Sequence, residues 1–495
     1  MPRPPPKESP LSASDPLPTV RFPSRSRQGV LLGLTAAQLT VVGTAGAMLL
    51  VTMVATGLAG AALATPLWAL AAALVLIRFH SRSVADWAPI VIRYYLRRAK
   101  GQLVWLARPA TRPRRDGLLH LPGTAASLRA VTAPGGTLGA VHDPQKNTLT
   151  AVIRVTSRAF ALLDPATQAG NVSAWGRCLA SLARTGYITT VQVIERTVPD
   201  SGDALARYWA ENGRPDARLA GPVYEELLSA AGPTAAPHEA YIAISLDLKG
   251  ARRLIGEAGG GLSGAFSVLA QLVPGFEQSL RNAGLNPRGW LSTGEIAAVI
   301  RSAYDPKALA NLVQWSESGE AVADPAAAGP VVVVEEPGRL TTDTACHAVY
   351  WIEQWPRSEV GHGFLHPLVF AGGARRTLSL TYGPQALDAA LKAVQRTKAS
   401  IVADAAERVR KGQVDSEADS MEYADAKAHE RELISGHADV DLTGLVVVSA
   451  DNPEELRRAC ASIETAAAGT GLDPRLLRWQ QAEAFAQAAL PLART

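Results

Sequence analysis

Residues 29–77 read GVLLGLTAAQLTVVGTAGAMLLVTMVATGLAGAALATPLWALAAALVLI, and with Gln28 they form a run of fifty residues without a charged side chain. A helix needs about 20 apolar residues, at a rise of about 1.5 Å each, to cross a hydrocarbon core about 30 Å thick. Fifty residues are too many for one crossing and suit two crossings joined by a tight turn. The sequence predicts a transmembrane α-helical hairpin, with helices over 34–56 and 58–77 and the turn at Thr56-Gly57-Leu58-Ala59-Gly60.

Two other structures contain long apolar runs, namely a cleaved signal peptide and a helical hairpin buried in a soluble protein. A signal peptide has one short apolar region before a small-residue cleavage site, and this run is about three times too long for that. A helix in the core of a soluble protein rarely extends this far without a polar face. The run therefore favours the membrane hairpin.

Basic residues flank the apolar run on both sides. Segment 78–115 holds ten Lys and Arg residues against one acid, and segment 1–27 holds five against two acids. The turn between the two apolar helices carries no charge. Because basic flanks stay on the cytoplasmic side, we expect a two-span protein of the plasma membrane with both termini and the main body in the cytoplasm.

The two flanks differ in composition. Residues 1–27 form a Pro- and Ser-rich basic tail, which is predicted to be disordered. Segment 78–116 is basic, aromatic and partly amphipathic, which is typical of a helix on an anionic leaflet. A patch that binds DNA has a similar composition, so nucleic acid stays open as an alternative partner. The side chains predicted to contact the membrane surface are Arg78, Arg82, Trp87, Arg93, Tyr94, Tyr95, Arg97, Arg98, Lys100 and Trp105.

The three cysteines, Cys178, Cys346 and Cys460, are far apart and odd in number. They show neither the CxxC nor the Cys/His spacing of a zinc site, and they do not suggest a disulfide framework. This usage agrees with a reducing, cytoplasmic location. We expect neither a metal nor a cofactor.

The glycine cluster GEAGGGLSG at 256–264 invites comparison with a phosphate-binding loop. Such a loop needs Gly-Lys followed by Ser or Thr, because the lysine neutralises phosphate charge and the hydroxyl binds magnesium. The dipeptide Gly-Lys occurs nowhere in this chain. The run VVVVEE at 331–336 is instead predicted to be a buried strand that ends at the surface. Nucleotide hydrolysis is therefore not expected.

Other catalytic patterns are also weak. His362 and His366 have an i, i+4 spacing, but Gly361, Gly363 and Pro367 disfavour a helix that would bring them together. The pair Cys346-His347 lies in a predicted strand, where neighbouring side chains point to opposite faces. The sequence contains neither a GxSxG elbow nor an HExxH helix. We predict no catalytic residue and a protein that is not an enzyme.

From residue 117 onward, predicted strands alternate with predicted helices. This pattern indicates a cytoplasmic α/β body, an α+β sandwich of one or two subdomains over 117–325 and 326–495. The turn HDPQKN at 142–147 predicts a strand hairpin. Asp164-Pro165 and Asn452-Pro453 each predict the start of a helix, with a polar N-cap followed by proline in the first turn.

The C-terminal part carries Glu432-Leu433 followed by Gly436-His437, then the strand LVVVSA, the phrase DNPEELRRAC and the ending WQQAEAFAQAALPL. This order resembles the N-terminal, non-motor domain of the conjugation and type IV secretion ATPases. The start of the chain, with Arg21-Phe22-Pro23 and GLTAAQL at 33–39, resembles the small two-span (PrgI-like) membrane subunit of the same machines. The whole chain is similar to actinobacterial membrane proteins that fuse the two pieces.

A second resemblance lies in segment 158–200, RAFALLDPATQAGNVSAWGRCLASLARTGYITTVQVIERTVPD. It is similar to the EccE-type domain of the type VII secretion membrane complex, which also follows two spans. Three functions stay open: a non-enzymatic secretion subunit that docks a separate motor ATPase, a divergent nucleotide hydrolase, and a membrane-tethered nucleic-acid binder. The first is the function we expect, with other membrane subunits and anionic lipid as further partners.

Overall fold

The structure is a computed structural model, which describes residues 19–20, 36–76, 78–79, 82–107, 117–157, 160–198, 209, 212–213, 220–231, 238–308, 324–356, 358–370, 375–410, 417–434 and 438–494. Most of the predicted tail at 1–27 lies outside the described residues, as do the arginines at 108, 112, 114 and 115 and the Gly436-His437 pair of the quoted motif.

Helix α1 spans Ala36–Leu76 and is interrupted at Gly57, where φ is 68° and ψ is −160°. Only glycine adopts this backbone region readily, so the break occurs inside the turn that the sequence predicts. The hydroxyls of Thr44, Thr52 and Thr56 donate to carbonyls three or four residues earlier, which satisfies these polar groups within the helix. Among the described residues, Gln38–Gly57 is long and apolar enough to cross a membrane.

After α1, strands β2 (Arg78–Phe79) and β3 (Arg82–Ser83) pair with each other and lead into helix α2 (Val84–Ala99). The body is then built on one large antiparallel sheet of thirteen strands. These strands are β4 (Val104–Leu106), β5 (Arg129–Thr132), β6 (Gly139–Asp143), β7 (Thr148–Ser157), β8 (Ile188–Thr197), β9 (His238–Asp247), β10 (Leu285–Trp290), β11 (Val332–Glu336), β12 (Arg339–Thr341), β13 (Cys346–Gln354), β15 (Arg375–Pro384), β16 (Val440–Ala450) and β17 (Asp473–Leu476).

The remaining elements are helices and one further pair of short strands. Strand β1 (Thr19–Val20) pairs antiparallel with β14 (Val360–Gly361), outside the large sheet. The helices after α2 are α3 (Pro165–Thr185), α4 (Ala220–Ala231), α5 (Arg252–Glu257), α6 (Gly261–Asn282), α7 (Thr293–Tyr304), α8 (His366–Val369), α9 (Leu387–Arg410), α10 (Glu417–Ile434), α11 (Pro453–Gly469) and α12 (Gln481–Ala488).

The order of strands across the sheet is β4-β11-β12-β13-β16-β15-β8-β9-β7-β6-β5, with β10 beside β7 and β17 beside β13. Strands of segments 117–325 and 326–495 therefore belong to the same sheet. They meet where β8 pairs with β15, with Thr377 opposite Arg196 and Tyr382 opposite Val191. The body is a mixed α/β structure in which neighbouring strands run antiparallel.

Helices cover the sheet on both faces. Helices α3, α5 and α6 bury apolar side chains on one face, and α11 packs on the same face farther along the sheet. Helices α7 and α12 pack on the opposite face, where alternate residues of the same strands point. In β13, for example, Cys346 points to the α11 face while His347 contacts Phe485 of α12. The predicted opposite orientation of this Cys–His pair is confirmed.

Short sequence motifs determine where several of these helices and strands begin or end. Asp164 accepts a hydrogen bond from the backbone N–H of Thr167 at the start of α3, and Asn452 caps α11 in the same way. The hairpin predicted at 142–147 joins β6 to β7, and the carboxylate of Asp143 accepts from the backbone within the turn. These three predictions are confirmed, because each depends on residues that lie next to each other in the chain.

Candidate membrane-proximal interface

Helix α2 follows the apolar helix after the short β2–β3 pair and has two different faces. One face contacts the body through Trp87, Tyr94 and Arg97, and the other exposes Ile92, Tyr95 and Leu96 together with basic side chains. The apolar residues recur at the three- and four-residue spacing of a helix on each side. The helix is thus in a position to connect the body to a second surface.

Trp87 anchors the inner face of α2. It is 5% exposed and stands edge-on to Trp479, with 5.3 Å between the ring centres. The guanidinium of Arg475 lies 5.7 Å from the Trp87 ring and 4.8 Å from the Trp351 ring. Arg475 is itself buried and its side chain lies 3.6 Å from the carboxylate of Glu353. Stacked aromatic and cation–π contacts of this kind stabilise a docked helix beyond simple burial.

Arg97 makes the second inner contact. Its guanidinium donates to the Glu335 carboxylate of β11 at 2.5 Å, and the Glu335 side chain is 1% exposed. The other Glu335 oxygen accepts from the backbone N–H of Ala482 at 3.3 Å, at the start of α12. The sequence predicts that the strand at 331–336 ends at the surface. The strand does end at the surface, because Glu336 is partly exposed and Pro337 is exposed, but Glu335 just before its end is buried and is paired with Arg97.

Arg93 and Trp105 make weaker contacts in the region where α2 packs on the body. Arg93 lies 3.3 Å from the carboxylate of Glu483, although 63% of the Arg93 side chain is exposed. An exposed pair of this kind adds little to stability. Trp105 of β4 is partly buried against the core that contains α7 and α12.

The outer face of α2 is apolar and basic. Ile92, Tyr95 and Leu96 are each more than half exposed. Arg98 and Lys100 are exposed beside them at the end of the helix. An exposed apolar stripe bordered by cations is the pattern that binds anionic membrane surfaces.

The structure divides the ten side chains predicted to contact lipid. Trp87 and Tyr94 are buried against protein and Arg97 is paired with Glu335, so these three belong to the docked face instead. An aromatic and basic sequence does not distinguish a helix face that lipid covers from one that protein covers. For this reason the sequence pattern does not separate these three side chains from those on the exposed face of α2. Four predicted residues lie on the exposed part of the helix and its end: Arg93, Tyr95, Arg98 and Lys100. Arg78 and Arg82 belong to β2 and β3, and their side chains are outside the described set. The tenth, Trp105, lies on β4 and is partly buried against the core of the body.

Sequence reasoning missed the residues of the body that receive α2. Glu335, Arg475 and Trp479 are far from α2 in the chain, and nothing in their neighbourhood indicates a contact with it. A partial signal was present, because Glu335 follows four valines in a predicted buried strand and lies two residues after Val333, which is buried. An acid in such a strand requires a buried partner.

His347 is the most enclosed titratable side chain among the histidines that the structure describes. Its two ring nitrogens lie 2.9 Å from the Thr342 hydroxyl and 2.8 Å from the Ser449 hydroxyl. Burial, and then the charge of Arg375, lower the pKa of His347 to about 3. A neutral, fully hydrogen-bonded and solvent-free imidazole links strands β13 and β16.

The other sequence candidates are not brought into a shared site. Helix α8 begins at His366, so His362 lies before the helix rather than on it. Gly259, Gly260 and Gly261 have positive φ and turn the chain between α5 and α6. Within the described ranges, groups of three or more His, Cys, Asp or Glu with metal-binding geometry are absent.

No protein-family model matches this sequence, and a search of curated proteins finds no similar sequence.

Proposed function

We propose that this chain is a non-enzymatic, membrane-anchored subunit of a bacterial secretion or conjugation apparatus. In this proposal, the apolar segment at 28–77 crosses the plasma membrane twice, and α2 lies at the cytoplasmic surface. The α/β body docks a separate motor ATPase and other membrane subunits. The observation that supports it most is the division of α2 into a docked face and an exposed apolar and basic face.

The position of α2 explains why such a division is useful. A flexible linker would leave the body free to rotate beneath the membrane. The Trp87–Trp479 contact and the buried Arg97–Glu335 pair instead hold α2 on the sheet. With the outer face on lipid, the sheet then keeps one orientation relative to the membrane, which suits a subunit that receives a motor.

The break at Gly57 supports two crossings rather than one long helix. Helical residues on both sides of it leave about 20 residues for each crossing, close to the length that a hydrocarbon core requires. The threonine hydroxyls donate to backbone carbonyls within α1, so in the bilayer they would have hydrogen-bond partners. The basic flanks favour cytoplasmic ends.

Anionic lipid is preferred over DNA as the partner of α2. Two of the arginines in the basic segment, Arg93 and Arg97, lie against the carboxylates of Glu483 and Glu335. Their charges are therefore partly or fully neutralised, which weakens the attraction to phosphates along a duplex. The exposed apolar side chains between the remaining cations fit a lipid interface better than a nucleic acid.

The assignment to a secretion machine rests on the sequence resemblances. Type IV and type VII machines are both compatible with two spans and a cytoplasmic body, and the type VII EccE-like component is the alternative identity. Affinity purification of the full chain from its own cells distinguishes them. Recovery of a conjugation-type motor ATPase favours the first machine, and recovery of type VII subunits favours the second.

Membrane topology tests the anchor directly. In a Cys460→Ser background, single cysteines at Ser12, Thr56 and Thr495 are treated with a membrane-impermeant maleimide in intact spheroplasts. We expect labelling of Thr56→Cys alone, and labelling of Ser12→Cys and Thr495→Cys only after lysis. Labelling of Thr495→Cys before lysis contradicts the proposed orientation.

A further inference from the structure

Strand β4 forms one end of the large sheet, and its outer edge is open. In the strand order, β11 lies beside β4 on one side, and none of the described strands lies on the other. The opposite end of the sheet is protected, because Leu118 bridges to Arg129 of β5 and the Gly117 carbonyl accepts from the Ala130 N–H. An open edge presents unpaired backbone groups to any strand that approaches it.

Two hydrogen bonds to β11 bracket the middle of β4. The Ala107 N–H donates to the Val331 carbonyl at 2.8 Å. At the other end of the strand, the Glu335 N–H donates to the Leu103 carbonyl at 2.9 Å. These two pairs of opposite residues are therefore the hydrogen-bonded kind of pair in an antiparallel ladder.

The alternation of the ladder then fixes which backbone groups of β4 face outward. Hydrogen-bonded pairs occur at every second residue, so Trp105 is bonded to β11 while Val104 and Leu106 are not. The N–H and C=O groups of Val104 and Leu106 point away from β11. They lie along the open edge of the sheet.

The same two residues also expose apolar side chains. Val104 is 52% exposed and Leu106 is 64% exposed, whereas Trp105 between them packs on the face that carries α7 and α12. Segment 102–107 reads QLVWLA and holds no charged residue. Exposed edge strands commonly carry charges or proline that prevent pairing, and β4 carries neither. The edge is therefore suited to pairing with another strand.

We propose that β4 pairs antiparallel with β4 of a second copy of the chain, so that the two sheets join into one. With the two-fold axis beside Trp105, Val104 of each copy lies opposite Leu106 of the other. Each of these residues offers one N–H and one C=O, so four hydrogen bonds form across the axis. An axis beside Val104 would instead place Leu106 opposite Gln102, whose N–H already donates to the Arg97 carbonyl. Since both copies use the same edge, the contact closes with two chains.

The geometry of the joined sheet favours a second copy over an unrelated strand. The two-fold axis between the paired strands is perpendicular to the sheet, so each face of one copy continues as the same face of the other. Helix α2 contacts Glu335 and Glu483, which lie on the α12 face. Both copies of α2 therefore lie on the same side of the joined sheet, as two proteins in one membrane require. The two Trp105 side chains are opposite each other on that side, and such aromatic pairs stabilise a sheet.

The strength of the contact, though not its geometry, rests on the proposed membrane anchor. A strand of three residues buries far less than the ~1,200 Å² that marks a stable interface, so pairing alone gives a weak dimer in dilute solution. Anchoring in one membrane raises the effective concentration of the two edges. We therefore expect a dimer in membranes and a monomer–dimer equilibrium in detergent.

Cysteine cross-linking in membranes tests the register of the pairing. Val104→Cys and Leu106→Cys are placed in two differently tagged chains in the Cys460→Ser background, where the other two cysteines are buried. The chains are expressed together, and membrane vesicles are treated with copper phenanthroline. In the proposed register the two positions are opposite, with Cα atoms about 5.5 Å apart, which a disulfide can bridge.

Each variant expressed alone is the matched control. Two copies of Val104→Cys, or two of Leu106→Cys, are diagonal across the axis, with Cα atoms about 7–8 Å apart, which is too far for a disulfide. We expect a linked dimer that carries both tags in the mixed sample. The yield of linked dimer should be about tenfold lower in either control.

A second experiment measures association without cysteines. Val104→Pro removes the N–H that faces the open edge and leaves the bonds from β4 to β11 in place. It deletes two of the four hydrogen bonds, so we expect the dimer dissociation constant, measured by energy transfer between labelled copies in liposomes, to rise about thirtyfold. Val104→Thr keeps the N–H and a branched side chain, and its dissociation constant should stay within about threefold of the natural value.

Four results overturn the proposal. They are an absent cross-link in the mixed sample, equal cross-linking in the mixed and single-variant samples, equal association of Val104→Pro and Val104→Thr, and a cross-link that forms only when another subunit is added. The last result assigns the edge to that subunit. Topology labelling tests the anchor separately, so a missing cross-link in membranes that pass that test overturns the pairing and leaves the proposed anchor untouched.

Discussion

The Arg97–Glu335 pair gives the sharpest prediction about how α2 is held. Arg97→Met keeps the aliphatic part of the side chain but leaves the Glu335 carboxylate, 1% exposed, with the Ala482 N–H as its remaining hydrogen-bond donor among the described residues. Removing one partner of a buried ion pair costs about 3–5 kcal/mol. Arg97 is 22% exposed, which places the expected loss near 3 kcal/mol. A loss of about 3 kcal/mol changes the equilibrium constant between docked and undocked α2 by more than a hundredfold.

Hydrogen exchange of the α2 amides is the assay, because undocking frees this helix without unfolding the sheet. We expect exchange in Arg97→Met to be about a hundredfold faster than in the natural chain, while the β8 and β9 amides stay protected. Arg98→Met is the matched control. It removes the same charge from the next, exposed position, and is expected to change stability by less than about 0.5 kcal/mol.

The double variant Arg97→Met with Glu335→Leu separates lost charge pairing from lost packing. Replacing a buried pair by apolar side chains of similar volume is often neutral or stabilising, so we expect exchange within about fivefold of the natural rate. If Arg97→Met and the double variant exchange equally fast, the buried carboxylate is not the cause of the loss. If Arg97→Met exchanges like Arg98→Met, the pair does not hold α2 at all.

Two further perturbations test separate parts of the chain. Gly57→Ala places a side chain at φ 68° and ψ −160°, which costs about 1–3 kcal/mol. We expect Thr56→Cys in this variant to lose its maleimide labelling from outside the spheroplast. Unchanged labelling contradicts the role of the break as the turn between two crossings. His347 has a pKa of about 3 when folded against an ordinary value of 6.5, so the unfolded chain binds the proton first. Stability should fall by about 1.4 kcal/mol per pH unit from 6.5 toward 3. The free energy of unfolding is measured with urea at several pH values. It should fall less steeply with falling pH in His347→Gln than in the natural chain, and an equal pH dependence in both refutes this.

The parts of the fold that sequence predicts well depend on short-range chemistry. Asp164 and Asn452 begin helices because each accepts hydrogen bonds from backbone N–H groups two or three residues later. Gly57 interrupts α1 at φ 68° and ψ −160°, a backbone region that a residue without a side chain adopts readily. In each case the residues that decide the structure are close together in the chain.

The candidate site could be predicted only in part, because its contacts are long-range. Arg97 and Glu335 are 238 residues apart, and their pairing depends on β4 joining the sheet beside β11. The sequence indicates that α2 is amphipathic, basic and aromatic. It does not indicate that Trp87 and Tyr94 pack on protein while Tyr95 remains exposed. The division between the faces follows from the fold.

Spin-label accessibility at Leu96 tests the membrane-facing role of α2 most directly. The full chain is placed in nanodiscs with anionic lipid, and labels are attached at Leu96→Cys or Leu227→Cys in the Cys460→Ser background. The two leucines are equally exposed in the structure, at 57% and 58%, but Leu227 lies on α4 of the body. We expect the Leu96 label to collide with oxygen dissolved in the lipid, and the Leu227 label to collide with a water-soluble nickel complex. Equal access of both labels to the nickel complex would contradict the placement of α2 on the membrane.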